Sequence, residues 1–230
     1  MDIGAIIQVR MSSRRFPGKV LHVVEGRPLL LYIVEKLRRI KELKVITVAT
    51  SDNKEDDPIE GFCTDNGVAC YRGDLDNVIA RFCGALSMSP VDAFVRVNGD
   101  SPLIDGELIR KGMAVFGEGI YDIVTNVFPR SYPKGQSVEV VASRVFTETA
   151  RRIAEKDDQE HVTRYFYNNA DGFKIHNIAS DKDLSDIQLS VDTQEDMNTF
   201  SALVSRMDRP HWAYGVEEVL RLYNLVMIER

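Results

Sequence analysis

Long hydrophobic runs, an export signal and an excess of positive charge are all missing from this 230-residue sequence. Because no stretch of eighteen apolar residues occurs, we expect no membrane-spanning helix. The first residues lack the basic and then apolar pattern of a signal peptide, which predicts a cytoplasmic protein. The formal net charge of −6 argues against binding along nucleic acid, since contact with phosphates requires a basic surface.

Cysteine and histidine are also too sparse for a disulfide framework or a zinc site. Cys63, Cys70 and Cys83 are odd in number and show no C-x-x-C spacing, which favours reduced thiols. The four histidines show no ligand spacing, so we expect no zinc centre. Neither G-x-G-x-x-G, nor a Walker lysine motif, nor G-x-S-x-G occurs, which removes support from dinucleotide dehydrogenases and α/β-hydrolases.

The most distinctive feature that is present lies in the first twenty residues. Residues 3–9 form an apolar run whose length and β-branched content predict a short buried strand. Residues 10–19 then form a predicted loop that carries cations and hydroxyls, namely Arg10, Arg14, Arg15 and Lys19 with Ser12 and Ser13. Ligands of open α/β sheets bind at the carboxyl ends of strands, so the loop suits a polyanion such as a nucleoside triphosphate. A solvated basic loop is the alternative.

Strands and helices alternate along the first half of the chain. The predicted strands are 3–9, 45–50, 68–72, 93–97 and 121–126, and the predicted helices are 28–40, 58–66, 78–88 and 105–116. This alternation predicts right-handed βαβ units and a mainly parallel sheet. The pattern becomes irregular afterwards, with predicted strands 137–141 and 173–179 and predicted helices 145–155, 161–169, 192–206 and 216–228. We predict one domain over residues 1–230, in which the segment near residues 129–180 covers the site and is a candidate dimer contact.

Two aspartates follow predicted strands and are candidate metal ligands. Asp100 lies in VNGDSPLID and Asp192 in LSVDTQEDM. Each alone is typical of an Asx-turn or a helix cap, and Thr193 is a further candidate cap. Together, facing a basic loop, the two carboxylates suit Mg²⁺, which prefers one or two carboxylates, several waters and phosphate oxygens. Such an ion screens a triphosphate and assists attack at phosphorus.

A second group of polar residues lies downstream, beyond the fifth predicted strand. Tyr132, Lys134 and Glu139 are close in sequence, and Lys134 suits a carboxylate or phosphate on a second substrate. An exposed loop lysine is the alternative. Glu160 and His161 are predicted at the start of a helix, where His161 is either a ligand contact or a residue whose ring is satisfied within the protein.

Blocks of sequence along nearly the whole chain carry a resemblance to a known family. The opening at residues 5–21, AIIQVRMSSRRFPGKVL, is similar to a family opening that usually reads AIIQARMGSTRLPGKVL. Further blocks follow in the family's order, at residues 49–52, 73–82, 96–105, 132–140, 160–163 and 189–196. The chain thus resembles the cytidylyltransferases related to the spore-coat polysaccharide biosynthesis protein, which belong with the acylneuraminate (CMP-sialate) and CMP-Kdo synthetases.

The resemblance implies a fold, an activity and partners. The fold is a nucleotide-diphosphosugar-transferase-like (GT-A/Rossmann-like) three-layer α/β fold with a mostly parallel central sheet. The activity is Mg²⁺-dependent nucleotidyl transfer from CTP to a sugar acceptor, with release of pyrophosphate. A homodimer is also implied.

The resemblance also assigns roles to individual residues. The residues expected to be catalytic are Arg10, Arg15, Lys19 and Asp100, and those expected to hold Mg²⁺ are Asp100 and Asp192. The nucleotide is expected at Arg10, Met11, Ser12, Ser13, Arg15, Lys19, Ser51, Asp52 and Asn98. The sugar is expected at Tyr132, Lys134, Gln136, Glu139, Glu160 and His161.

The first loop departs from the family pattern at three positions. Ser12 replaces the usual glycine, while Arg14 and Phe16 replace threonine and leucine. If the glycine position requires a positive φ or a close approach to phosphate, Ser12 changes the geometry of the loop. Arg14 adds a cation that strengthens phosphate binding. Lys134 stands where many relatives carry an acid or another polar residue, which indicates a different acceptor.

The residues and the resemblance are together consistent with three functions. The first is transfer of CMP to an acidic sugar of the nonulosonate or 3-deoxy-octulosonate type, for a surface glycan or polysaccharide, with Lys134 or Arg130 binding the carboxylate. The second is transfer to a sugar 1-phosphate, from CTP or another nucleotide. The third is a non-catalytic family member that binds nucleotide or a partner.

Overall fold

The apolar runs of the sequence form the strands of one central sheet in the computed structural model, which describes residues 1–229. The strands are β1 (Ile3–Gln8), β2 (Val23–Val24), β3 (Arg27–Pro28), β4 (Leu43–Ser51), β5 (Ala69–Gly73), β6 (Ala93–Asn98), β7 (Ile123–Thr125), β8 (Glu139–Ala142) and β9 (Ile175–Asn177). The α-helices are α1 (Leu29–Leu37), α2 (Asp57–Asp65), α3 (Val78–Met88), α4 (Gly106–Phe116), α5 (Ser143–Ala150), α6 (Lys156–Glu160), α7 (Arg164–Asn168), α8 (Gln194–Val204) and α9 (Val216–Ile228).

The central sheet has the strand order β5-β4-β1-β6-β8-β7-β9. All its strands run parallel except β8, which is antiparallel to both of its neighbours. The small β2–β3 hairpin lies outside this sheet. Gln8 at the end of β1 lies opposite Ala49 of β4 and Asn98 of β6, so the ends of the three central strands meet at one edge.

The core has two halves, one on each face of the sheet. Successive side chains of β1 point to opposite faces, so Ile7 joins an apolar cluster with residues of α1, α4 and α8. Ile6 joins a second cluster with residues of α3, α5 and α7. Helices therefore cover both faces, and the predicted three-layer α/β fold with a mostly parallel sheet is confirmed. No helix within residues 1–229 has the length and apolar character that crossing a membrane requires.

The predicted helices of the irregular segment need correction. The helix predicted over 145–155 ends at Ala150, and Glu155 instead precedes α6. Asp157 and Asp158 lie in the first turn of α6, where carboxylates interact favourably with the helix dipole. His161 follows the last residue of α6 with a non-helical backbone, so Glu160 and His161 end a helix and do not begin one. The helix predicted from residue 161 begins at Arg164.

The same segment also contributes to the sheet. It supplies β8 and β9, which confirms the strands predicted at 137–141 and 173–179, although both are shorter than predicted. The predicted strand at 121–126 is shorter than expected, as β7 covers only Ile123–Thr125. All three cysteines are free thiols. The single domain and the homodimer stay predictions.

Candidate active site

A cleft of about 470 Å³ opens at the carboxyl ends of β1 and β6. It combines the first loop, two strand ends, one residue of α3, the turn after α6 and an aspartate before α8. Its lining residues are Gln8, Val9, Arg10, Ser13, Arg14, Arg15, Lys19, Val20, Arg81, Asn98, Gly99, Asp100, Glu160, His161 and Asp192. Nine of the seventeen predicted site residues thus line one cleft.

Asp56, which the sequence analysis missed, fixes the start of the basic loop. Its carboxylate is buried, and Oδ1 accepts a hydrogen bond of 2.7 Å from the Met11 amide. Oδ2 accepts from the Thr50 hydroxyl at 2.9 Å and from the Ser51 amide at 3.0 Å. The loop is therefore attached to the end of β4. An aspartate before an apolar helix is typical of a cap, so its sequence position gave no sign of this role.

A tight backbone closure shapes the rest of the loop. The Met11 carbonyl accepts hydrogen bonds from the amides of Ser13, at 2.8 Å, and Gly18, at 2.9 Å. Gly18 has a φ of +74°, which explains the Pro-Gly pair in the sequence. Glu25 is the one non-glycine residue within residues 1–229 with a positive φ, so Ser12 adopts an ordinary backbone conformation. Replacing the usual glycine therefore causes no strain here.

Lys19 lies at the centre of the charged end of the cleft. Its buried ammonium donates to the Val191 carbonyl at 2.6 Å and to Asp192 Oδ1 at 3.0 Å. Asp100 Oδ2 lies 3.7 Å from the same nitrogen. The Val191 amide also donates to the Asp100 carbonyl at 2.8 Å, which joins the two segments through their backbones. Lys19 and this backbone bond together hold the two aspartates beside each other, as predicted.

Neither aspartate acts as a helix cap. Asp105 caps α4 by accepting from the Glu107 amide, and Thr193 caps α8 in a capping box with Asp196. Burial raises the pKa of Asp100; the positive charge of Lys19 opposes this rise, and the negative charge of Asp192 adds to it. The two carboxylates repel each other when both are ionised, and a further cation between them would reduce this repulsion.

The donor set around these aspartates fits Mg²⁺. Residues 1–229 contain no group of three or more His, Cys, Asp or Glu side chains arranged to hold a metal ion. Two carboxylates meeting at a cleft are what Mg²⁺ uses when substrate phosphates and water supply its other ligands.

Two further arginines of the loop form exposed ion pairs. Arg15 lies 2.9 Å from Asp192 Oδ1 with 65% of its side chain exposed, and Arg10 lies 3.4 Å from Glu160 Oε1. Exposed pairs of this kind contribute about 0–1 kcal/mol, so a phosphate group competes with them at little cost.

Arg81 of α3 is a second residue that the sequence analysis did not place in the site. Its side chain is 1% exposed and lines the cleft, yet its Nε and Nη1 have no hydrogen-bond partner within residues 1–229. Burial lowers the pKa of Arg81, and the charge of Arg10 lowers it further. The signal was present, because Arg81 is the one charged residue in the otherwise uncharged segment 78–88.

Several predicted contacts lie outside the cleft. Met11, Ser12, Ser51 and Asp52 do not line it, and the Ser51 side chain and amide are bonded to Asp56. Met11 and Ser51 instead hold the loop in place through their contacts with Asp56. Sequence spacing alone could not distinguish supporting residues such as Met11 and Ser51 from residues that line the cleft.

The predicted sugar contacts divide into two groups. Glu160 and His161 line the cleft, whereas Tyr132 lines a separate cavity of about 520 Å³ beside α4 and α9. Lys134 is exposed, and its backbone pairs with Ile187 and Leu189. The loop at 131–136 therefore packs against the chain that leads to Asp192 and does not extend into the cleft.

Gln136 and Glu139 are corrections to the predicted sugar site. Gln136 is fully buried, where Oε1 accepts from the Asp105 amide at 2.9 Å and Nε2 donates to the Leu103 carbonyl at 2.7 Å. Glu139 is 2% exposed, and both carboxylate oxygens accept hydrogen bonds, from Arg96 and from Tyr167. The polar atoms of both side chains thus form hydrogen bonds within the protein.

Comparison with known proteins gives concordant results. A family model described as Cytidylyltransferase matches residues 4–229. The spore coat polysaccharide biosynthesis protein SpsF of Bacillus subtilis is 31% identical over 233 residues, covering 97% of this chain and 94% of that protein. A cytidylyltransferase structure from Leptospira borgpetersenii has a TM-score of 0.93 at 26% identity, covering 99% of this chain and 96% of that chain. A CMP:2-keto-3-deoxy-manno-octonic acid synthetase complexed with CTP has a TM-score of 0.68 at 15% identity, covering 90% and 99%.

Proposed function

This chain belongs to the cytidylyltransferase family, and from that premise we propose that it transfers CMP from CTP to an acidic sugar and releases pyrophosphate. The observation that carries the proposal is the buried Lys19, which holds Asp100 and Asp192 together beside a loop rich in cations. A triphosphate and its counter-ion require this combination of charges. Activation of a sugar for a surface polysaccharide also agrees with the name of the relative SpsF.

The charged end of the cleft is proposed to hold the triphosphate. Arg10, Arg15 and Lys19 would bind its phosphate oxygens, with the Ser13 hydroxyl as a further donor. Asp100 and Asp192 would hold Mg²⁺. When bound, the ion neutralises charge on the phosphates and favours attack at phosphorus.

The reaction is a displacement at the α-phosphorus. The anomeric oxygen of the sugar forms a bond to the α-phosphorus and its hydroxyl proton passes to water. The bond between the α-phosphorus and the oxygen that bridges to the β-phosphorus breaks, and pyrophosphate leaves with that electron pair. The protein contributes mainly position and charge: Lys19 and Arg15 stabilise the negative charge that develops on the leaving group. Lys19 is held in place for this by the Val191 carbonyl.

The other end of the cleft is proposed to hold the rest of the nucleotide and the acceptor. The unpaired donors of Arg81 need oxygen or nitrogen acceptors from a ligand, because a buried guanidinium without partners is costly. The acceptor sugar is proposed to bind at Glu160 and His161. The structure of the related synthetase with CTP, which shares the fold, supports CTP as the nucleotide.

Binding of nucleotide tests this assignment without knowledge of the acceptor. The melting temperature is measured with each of the four ribonucleoside triphosphates, with Mg²⁺ and with EDTA. We expect CTP to raise it more than the other three, and only when Mg²⁺ is present. Equal stabilisation by all four, or by none, contradicts the proposal.

A further inference from the structure

A chain of hydrogen-bonded polar side chains leads from Gln8 in the lining of the cleft into the sheet, across three strands and one helix. Arg96 of β6 lies opposite Glu139 of β8 in the sheet register. Its Nη1 donates to Glu139 Oε2 at 2.6 Å, and the Tyr167 hydroxyl donates to Glu139 Oε1 at 2.6 Å. Arg96 Nη1 also lies 3.3 Å from the Thr163 hydroxyl. Arg96 is therefore held on one side by a buried carboxylate that is itself fully bonded.

This ion pair stays charged at neutral pH. Burial raises the pKa of Glu139, but the charge of Arg96 and the hydrogen bonds from Tyr167 and Thr163 outweigh it and leave the pKa lowered. An arginine is protonated throughout the accessible pH range. The guanidinium therefore has a fixed charge and a fixed orientation.

The other side of Arg96 faces Gln8, which lines the cleft. Arg96 Nη2 donates to Gln8 Oε1 at 3.2 Å. A guanidinium carries donors only, so the atom of Gln8 that faces it must be the carbonyl oxygen. The Gln8 Nε2 then points away from Arg96 and has no hydrogen-bond partner in the described part of the chain.

A free glutamine side chain offers either a donor or an acceptor to a ligand, because its amide can turn over. The hydrogen bond from Arg96 fixes the orientation of the Gln8 amide, so that only its NH₂ donors are available to a ligand. Such a group suits a ligand atom with an unused lone pair, either a carbonyl or ring nitrogen of the nucleotide base or an oxygen of the acceptor sugar.

We propose that Gln8 contacts the substrate as a hydrogen-bond donor and that Arg96 is the positioning residue that fixes its amide. Glu139 and Tyr167 hold Arg96 in turn. Glu139 thus supports Arg96, in place of the sugar contact that the sequence predicted for it. This inference rests on the proposed function, because it places the donor in the cytidylyltransferase cleft.

The substitution Gln8→Glu tests the donor role, since it replaces the NH₂ group by an oxygen at almost unchanged size. The new carboxylate faces Arg96, so we expect the melting temperature to stay the same or rise. We expect affinity for the ligand to fall about tenfold or more, because a donor becomes an acceptor. Gln194→Glu is the matched control, since Gln194 is exposed at the start of α8 and its side chain donates to Asn198.

Calorimetric titration of CTP with Mg²⁺, and KM for the acceptor, separate the outcomes. Weaker CTP binding by Gln8→Glu supports the proposal and places the lone pair on the nucleotide. Unchanged CTP binding with a raised KM for the acceptor supports it and places the lone pair on the sugar. If both stay at the wild-type value in a folded variant, the proposal is wrong. A wild-type protein that binds no triphosphate contradicts the proposed function instead.

A double-mutant cycle tests the positioning role of Arg96. Arg96→Lys keeps the charge beside Glu139 but lacks the forked guanidinium that reaches Glu139 and Gln8 at once. We expect it to weaken binding by less than Gln8→Ala does, because the freed amide can still turn its NH₂ group to the ligand, and we expect the double variant to bind no more weakly than Gln8→Ala alone. If Arg96→Lys does not fold, Tyr167→Phe is the milder second variant. It should weaken ligand binding less than Arg96→Lys, and in a Gln8→Ala background it should weaken binding no further. Additive losses would overturn the positioning role.

Discussion

At the scale of single residues, the cleft depends on charges that satisfy each other only in part. Lys19 is buried with three oxygens near its ammonium, which is what a buried cation requires. Asp100 is less well matched, because Lys19 lies nearer to Asp192 than to Asp100. Arg81 has no partner for two of its nitrogens within residues 1–229. These two residues are therefore expected to improve function at the expense of stability.

Asp100→Asn tests the first of them. Because its pKa is raised by burial, the ionised form of Asp100 destabilises the folded protein at neutral pH. The neutral amide should leave the melting temperature unchanged or raise it, while pyrophosphate release falls by about 100-fold or more as a metal ligand is lost. Thermal unfolding and a turnover assay on the same preparation check both. Retained turnover would remove Asp100 from the metal site.

The same carboxylate predicts a pH dependence. Holding Mg²⁺ requires Asp100 to be ionised, and its raised pKa keeps it protonated at a higher pH than an ordinary aspartate. At limiting Mg²⁺, activity should therefore fall as the pH is lowered, and saturating Mg²⁺ should move this fall to lower pH. Rate profiles at two Mg²⁺ concentrations check this. Profiles that coincide would show that no metal-linked carboxylate titrates.

Arg81→Met tests the second residue. It removes a buried charge that has two unpaired nitrogens within residues 1–229 and keeps an apolar side chain, so we expect stability to rise by about 1 kcal/mol or more. Affinity for the nucleotide should fall by about tenfold or more, because a charge-assisted hydrogen bond is lost. Denaturant unfolding and calorimetry measure the two effects. A loss of stability together with unchanged affinity would make Arg81 a structural residue.

At the scale of elements, the position of the basic loop depends on Asp56. Its carboxylate connects the loop to the end of β4 through bonds to Met11, Thr50 and Ser51. Lys19, at the other end of the loop, is attached to the segment before α8. The loop is thus fixed at both ends, which prepares its cations for a ligand.

Asp56→Ala is expected to loosen this loop. It leaves the partly buried amide of Met11 and the buried amide of Ser51 without this acceptor, which should cost about 2–4 kcal/mol of stability. KM for the triphosphate should also rise, since the loop loses one anchor. Asp65→Ala, at the exposed end of α2, is the control and should change stability by less than about 0.5 kcal/mol. Equal effects of the two variants would refute the anchoring role.

The elements also show what the sequence could predict. The buried strands and the alternation with helices were predicted because parallel strands form apolar runs of recognisable length. The division of residues 156–168 into α6 and α7 was missed because these helices are only five residues long each and carry little periodic signal. Gln136, Glu139 and Asp56 were misjudged or missed because their partners are distant in sequence, such as Arg96 for Glu139.

At the scale of the whole molecule, the cleft crosses the edge of the sheet. Lys19 and Asp192 lie with the segment that packs on the face of α1, α4 and α8, whereas Arg81 belongs to α3 on the other face. Gln8 and Asn98 lie between them at the strand ends. A single elongated ligand can therefore contact both faces, with its phosphates at one end.

The most direct measurement is pyrophosphate release with Mg²⁺ from each of the four ribonucleoside triphosphates, against a panel of acidic sugars and sugar 1-phosphates. We predict release that requires both CTP and an acidic sugar. Release with a sugar 1-phosphate, or with another triphosphate in preference to CTP, would contradict the acceptor or the nucleotide proposed. Absence of release across a panel that includes nonulosonates and 3-deoxy-octulosonates, together with tight CTP binding, would identify a non-catalytic nucleotide-binding protein.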